Sequence, residues 1–346
     1  MRLAWWPIVV SLSLAAAAQA PAPPLVLDEA PAGPEEWGYR PVDGAVSRVT
    51  PPAFSWRPVR GIAHWELVVG RDPTFERVAY RADGIRWSVH CPTVTLAAGA
   101  YAWRYRGIDR QGRTTAWSRT REFRVASGVR ELPLPDRQEL LGRIPTSHPR
   151  LFLRPEALPE LRGLAKGKLS EPFARLVQTC DRLVAKPPPT AEPPKYPPGT
   201  TRLSEEWRSI WWGNRTYTIR ALEGAATLAF TGLIGDREEY RRLATRILLD
   251  CARWDPKGAT GYRYNDEAGM PYAYHFSRAY TFLHDRLTEE QREQCRRVMA
   301  VRGREMYRHL CPRHLWRPFA SHSNRAWHFL GEVGIAFFDE IPEAAD

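Results

Sequence analysis

The sequence predicts a chain of mixed β and α class: a small N-terminal β-sandwich, then paired helices forming an incomplete (α/α) toroid or helical solenoid. Three observations predict it. Apolar and aromatic residues alternate at period two through residues 51–125, the period becomes helical after Ser147, and a proline-containing stretch separates the two regions. With 346 residues and 43% hydrophobic content, the chain can build two globular cores.

Residues 1–20 read as an export signal, with Arg2 as the positive head, an apolar stretch from Ile8 to Ala18, and Ala18-Gln19-Ala20 as the cleavage site. The apolar stretch is too short to span a bilayer, and Pro21, Pro23 and Pro24 follow directly. The mature protein is therefore expected to be secreted or periplasmic, with no stable membrane span. The net charge of +11 favours polyanions. For an exported protein these are acidic glycans or anionic envelope surfaces rather than nucleic acid. Lys166, Lys168, Lys186, Lys195 and Lys257 are the only lysines, and such an arginine skew also fits codon composition. Cys91, Cys180, Cys251, Cys295 and Cys311 are scattered without metal-ligand spacing. No metal or other cofactor is expected, and sequence cannot pair the cysteines.

Residues 22–127 form the β module. Strand-like alternation runs through Phe54-Ser55-Trp56 and through residues 64–69, 93–96, 101–105 and 122–125. Turns fall at Arg60-Gly61, Arg71-Asp72-Pro73, Ala98-Gly99 and Gln111-Gly112. The phrases PPAFSW, WELVVGRDPTF and YAWRYRGIDRQGRTTAWS resemble a fibronectin type III or immunoglobulin-like module. Its aromatics at period two fit a core, and exposed ones would fit sugar binding. Residues 128–147 read as a linker.

The helical part spans 148–346. A short helix begins at Pro155-Glu156, and residues 171–185 carry Phe173, Leu176, Val177, Cys180 and Leu183 at helical spacing. The proline-dense strip 186–199 breaks the pattern. Helices are then expected at 207–232, 237–254, 271–287 and 288–310, the last opened by a capping box of Thr288 and Gln291. A final helix at 324–340 would bury Leu330, Gly334, Phe337 and Phe338. Short turns between helices imply hairpins, and no fixed-length repeat is visible. A closed ring takes more helices than these, so the chain is expected to be a piece of a longer protein.

The candidate site centres on residues 320–332, ASHSNRAWHFLGE. Ser321 or Ser323 is a natural N-cap, placing His322 at a helix N-terminus where an anion is favoured and the imidazole stays neutral. A neutral histidine beside an anion can act as a general base, and Asn324 can donate to a carboxylate. On a helix, Asn324, Trp327, His328 and Gly331 share a face. The same run also serves as ordinary capping and turn chemistry.

These stretches together with HPRLFLRPEALPELR, GAATLAFTGLIGDREEYRRLATRILL, AYTFLHDRLTEEQRE and SHSNRAWHFLGEVGIAFFDEIPEA resemble the heparinase II/III-like polysaccharide lyases, in the bacterial branch formerly catalogued as a domain of unknown function. Alginate lyases and dermatan-sulfate epimerase share that architecture. The resemblance covers about 148–346, often preceded by a β module. It implies an (α/α) toroid followed by an antiparallel β-sandwich, with β-elimination at a uronic acid in the cleft between them. By position it makes His322 the base or carboxylate neutraliser and Asn324 a carboxylate polariser. The family's tyrosine acid/base and further histidines would lie beyond Asp346, so this chain alone is expected to lack part of the site.

Tyr272, Tyr274, His275 and Arg278 cluster at a helix start that would line the cleft, with Arg278 and Arg325 suited to a uronate or sulfate. Tyr274 and Arg278 equally fit an i,i+4 surface pair. Trp211, Trp212 and Asn214 suit a sugar platform, or core packing. His328 and Glu332 suit a supporting pair behind the site, or a solvated one. His309 and His314 read as structural. A glycoside hydrolase would need two carboxylates across a cleft, and the adjacent Asp266 and Glu267 cannot flank a sugar by themselves. A non-catalytic acidic-glycan-binding or envelope protein is the third reading. Oligomeric state is not legible.

Overall fold

The computed structural model describes residues 24–311, 313–319 and 325–346. The export signal, Ser321, His322, Ser323 and Asn324 lie outside them. The chain is mixed, with a small sheet region followed by many helices. Among the described residues seven strands come first: β1 Ala45–Thr50, β2 Phe54–Ser55, β3 Ile62–Gly70, β4 Val78–Ile85, β5 Val89–His90, β6 Gly99–Asp109 and β7 Arg121–Glu131. One sheet has the order β1-β7-β6-β3-β4, with β1 parallel to β7 and the other pairs antiparallel. A second, two-stranded sheet pairs β2 with β5.

The expected strand at 93–96 is absent, and β1, β4 and β5 carried too weak an alternation to be seen. Val78 and Val46 face outward, which is why β4 and β1 lack a clear apolar stripe. The aromatics at period two are core. Trp65, Leu67 and Val69 of β3 and Tyr101, Trp103 and Tyr105 of β6 are buried on one face. Phe54 meets the edges of Trp103 and Phe123, and Trp56 stacks on Tyr105 at 5.1 Å, so the small sheet covers part of the large one. Arg121 is buried in this layer under Tyr39 and paired with Glu29 at 2.8 Å.

Nine helices follow among the described residues: α1 Arg137–Gly142, α2 Leu158–Lys166, α3 Ser170–Ala185, α4 Glu205–Gly235, α5 Glu238–Cys251, α6 Asp266–Leu283, α7 Glu289–Leu310, α8 Arg313–Trp316 and α9 Ala326–Ala336. The Thr288–Gln291 capping box is formed in both directions. Helix α6 starts five residues before Pro271, because the Asn265 side chain accepts the Ala268 N–H and caps it. Helix α4 packs against α5 and α6, and α9 against α6 and α7. On α9 Val333 and Ala336 are buried, with Phe337 just beyond its end, whereas Leu330, Gly334 and Phe338 are half-buried. No helix among the described residues is long and apolar enough to cross a membrane. All five cysteines are free.

A polar latch joins the first residues of the helical region to its end. Glu340 accepts from Arg150 at 2.8 Å, from His148 Nε2 at 3.1 Å and from the Tyr280 hydroxyl. The Arg150 N–H donates to Thr281 Oγ1, which leaves the Thr281 hydroxyl to donate to His148 Nδ1 at 2.9 Å. His148 is thus assigned as the neutral tautomer with its proton on Nε2. Burial holds its pKa below the ordinary value. Glu340 is also pulled down to about 2: burial opposes this, but hydrogen bonds from His148 and Tyr280 outweigh it.

Both folded-state pKa values lie below their unfolded values, so both groups stabilise the fold above those values and lose that contribution as pH falls. Glu340→Gln is expected to cost about 3 kcal/mol at neutral pH, the scale of breaking a largely buried pair. The gap to wild type should close as pH drops from 4.5 toward about 2. Urea unfolding across that range checks it; parallel curves down to the acid limit would contradict the latch.

Candidate functional site

An open cleft of about 660 Å³ lies between the proline-rich strip, the start of α4, the loop 255–264 and the end of α7. Each wall has a local cause. The strip enters through Thr190, whose hydroxyl donates to Asp250 and whose carbonyl accepts from Trp254 Nε1. It is then held by Asn214 Nδ2 on the Pro194 carbonyl and by the Tyr196 N–H on the Tyr264 hydroxyl. Ser204 caps α4 through the Trp207 N–H. Asn265, the cap of α6, also donates to the Trp211 carbonyl at 3.0 Å and so ties the two helix starts together.

The loop 255–264 is fixed by Arg302 of α7, a buried guanidinium only 3% exposed. It lies 3.6 Å over the Tyr272 ring and donates to the Thr260 carbonyl at 2.7 Å, the Thr260 hydroxyl and the Asp255 carbonyl. Burial lowers its pKa from the ordinary arginine value. Gly269 allows the loop to lie against α6, since a Cβ there would approach the Tyr262 Cα to 2.7 Å.

Aromatic rings make one wall. Tyr264 stacks on Tyr196 at 4.9 Å, Tyr196 on Trp207 at 5.6 Å and Trp207 on Trp211 at 5.1 Å, and Trp212 meets Trp211 edge-on at 4.8 Å. The inner rings cover one another's faces, so they offer edges to a ligand. Trp212, 49% exposed at the end of the row and with Arg215 5.8 Å from its ring centroid, is the ring of this wall most accessible for stacking on a sugar. Burial raises the Tyr196 hydroxyl to about 12. Arg202, Arg208 and Arg263 complete the lining with Asp266 and His309. Among the described residues none of these three arginines has a carboxylate within ion-pair distance. Arg263 NH1 instead lies 2.6 Å from His309 Nδ1.

The sequence candidates fall in several places. His322 and Asn324 lie outside the described residues. Arg325, which follows them, pairs with Glu267, and Glu267 also receives Arg215 at 3.1 Å. Glu267 is buried at the start of α6, beside the cleft residue Asp266. Trp211 and Trp212 line the cleft, whereas Asn214 is buried and holds the strip.

Tyr274, His275 and Arg278 lie further along α6, outside the cleft lining. Arg278 makes a two-pronged pair with Glu332, at 2.7 and 2.6 Å, beneath Phe152 and Tyr274. The expected Tyr274–Arg278 i,i+4 contact is present, with the guanidinium 4.7 Å from the ring centroid, whereas the expected His328–Glu332 pair is replaced: Glu332 points to α6, and His328 is exposed beside Phe329. Tyr274 stacks on Phe329 at 4.4 Å. His275 is only 6% exposed, and burial drives its pKa down to about 3, so it is a neutral packing residue. Tyr272 is core, donating to the Cys251 carbonyl.

Sequence reasoning missed Tyr196, Trp207, Tyr264, Arg202, Arg208, Arg263 and His309 as one constellation. The available signal was aromatic and arginine residues inside proline- and glycine-rich loops, in KYPPGTTR and GYRYN, where neither helix nor strand packing requires them.

One group of side chains among the described residues offers metal-ligand atoms close together, namely His148, His284 and Glu340. The two imidazoles are stacked at 3.8 Å and 5°. An ion must lie near each ring plane along a nitrogen lone pair, and two parallel stacked planes cannot share one ion in that way. Arg150 at 2.8 Å and Arg296 at 3.5 Å already face the carboxylate, so the cluster serves as the latch.

The chain matches no family model and no curated protein, so the site is argued from its own geometry.

Replacing Arg302 by Met should strand the Thr260 carbonyl and cost about 3 kcal/mol, with Lys a poor substitute because it lacks the guanidinium fork. Hydrogen exchange should rise selectively across 255–264. Unchanged protection there would contradict Arg302 as the loop's anchor.

Proposed function

We propose that the cleft binds an acidic polysaccharide and that the protein is an exported polysaccharide lyase-like protein, resembling the heparinase II/III-like enzymes. In this reading the helical hairpins belong to an (α/α) toroid and the strands to a β-sandwich module. The observation that carries it is the convergence on one aromatic-walled cleft of three arginines that have no carboxylate partner among the described residues. Guanidinium groups recognise carboxylates and sulfates through paired N–H donors, and an exposed indole takes a pyranose ring.

The reaction is β-elimination at a uronate. The hydrogen on C5 is very weakly acidic while the adjacent carboxylate carries its charge, so cations and amide donors must first neutralise that charge. A base then removes the proton, and the bond from C4 to the glycosidic oxygen breaks as the C4–C5 double bond forms. The leaving oxygen takes a proton from an acid. Arg202, Arg208 and Arg263 suit the first task. His322 and Asn324 enter through the resemblance alone. Glycoside hydrolysis is disfavoured because the described lining contributes one carboxylate, Asp266, where two are needed across a sugar.

With heparin fragments and oligomannuronate as ligands and a neutral mannan oligomer as control, binding is expected for the acidic chains and should weaken steeply with salt. The protein containing any C-terminal continuation is expected to release products with the ultraviolet absorbance of an unsaturated uronate. His322→Ala should lower turnover by about 10²–10⁴-fold while leaving binding nearly intact. New reducing ends without that absorbance would indicate hydrolysis, and salt-sensitive binding without turnover would indicate a binding protein.

A further inference from the structure

We propose that Phe152 is a stacking platform for a sugar ring outside the cleft, so that the protein grips a longer stretch of the acidic polymer than the cleft alone holds. This rests on the reading of the cleft as an acidic-glycan site. Phe152 belongs to the HPRLFLRPEALPELR stretch, which the cleft leaves without a role. Its neighbours Leu151 and Leu153 are buried, yet Phe152 is 76% exposed. Its backbone has a φ of +60°, which glycine adopts freely and a bulky side chain adopts at a cost. An apolar ring held in water on a strained backbone contributes little to folding, and such strain points to a contact made outside the chain.

The ring is supported by layers of side chains from two helices. Arg278 of α6 lies 5.1 Å from the Phe152 centroid, and Glu332 of α9 holds that guanidinium with both prongs. The same guanidinium lies 4.7 Å from the Tyr274 centroid, and Tyr274 stacks on Phe329 of α9 at 4.4 Å. A sugar that stacks on a ring already held in place costs less side-chain freedom on binding. Glu332 neutralises Arg278, so the platform offers a ring to the C–H face of a pyranose rather than a cation to its acid group.

Helix α6 joins the platform to the cleft. Glu267 receives Arg215 at 3.1 Å, and Arg215 lies 5.8 Å from the ring centroid of the cleft residue Trp212. Tyr274 and Arg278 follow Glu267 by about two and three helical turns, so the three residues share one face of α6. From the cleft residue Asp266 to Arg278 the helix rises about 18 Å. A polymer that leaves the cleft along this face reaches Phe152 several sugars later, and a short oligomer does not.

The test is calorimetry on the full protein with two oligomannuronates, one short enough to lie within the cleft and one several times longer. Wild type is expected to bind the longer chain about tenfold more tightly. Phe152→Gly suits the positive φ, so it should remain folded, bind the short chain as wild type does and lose the gain from length. Phe152→Trp should keep that gain. All three proteins should show the same salt dependence, because the platform carries no net charge. A gain from length that survives in Phe152→Gly, or is absent from wild type, overturns the platform and leaves the cleft reading standing. Long-chain binding that is lost in Phe152→Gly but unchanged in Arg208→Ala and Arg263→Ala upholds the platform and overturns the cleft. If neither chain binds, both fall together.

Discussion

The cleft depends on one buried cation. Arg302 is enclosed by protein, faces the Tyr272 ring and satisfies carbonyl and hydroxyl oxygens of a loop that has no regular structure to satisfy them. Backbone oxygens buried in a loop need donors, and an arginine supplies several in a fixed fork. By fastening residues 255–260 to α7, it sets where Tyr262, Arg263 and Tyr264 emerge. Tyr264 in turn receives the Tyr196 N–H and fixes the opposite wall. A desolvated guanidinium costs stability, and here it orders an open surface.

Charge is used differently in the two parts of the helical region. At the latch, Glu340 collects hydrogen bonds from His148, Arg150 and Tyr280, and at the α6–α9 contact Arg278 meets Glu332 with both prongs. Those cations are satisfied within the fold. In the cleft, Arg202, Arg208 and Arg263 have no carboxylate among the described residues and line a wall of rings. Paired cations hold helices together, and cations without a carboxylate partner beside an open face offer themselves to a ligand.

Much of the secondary structure was legible because it follows from periodicity. The α5 and α7 spans follow the spacing of their apolar residues, and the Thr288–Gln291 box marks the start of α7. Strands with a clear inward stripe, β3 and β6, were also visible. Edge or exposed strands such as β1 and β4 were not, since their outward valines break the alternation. The site was legible only in part. Trp211 and Trp212 stood out as aromatic residues, but the partners that make them a wall come from a proline strip and an irregular loop whose meeting is set by Arg302. Nothing in local spacing announces that contact, nor the pairing of Glu332 with Arg278 in place of His328.

The most direct test of the account is a crystal structure of the protein with a short oligouronate. The account predicts the sugar in the cleft, with its carboxylates on Arg202, Arg208 or Arg263 and a pyranose ring over Trp212. An oligouronate bound to another surface, with the aromatic wall and its three arginines untouched, would contradict it.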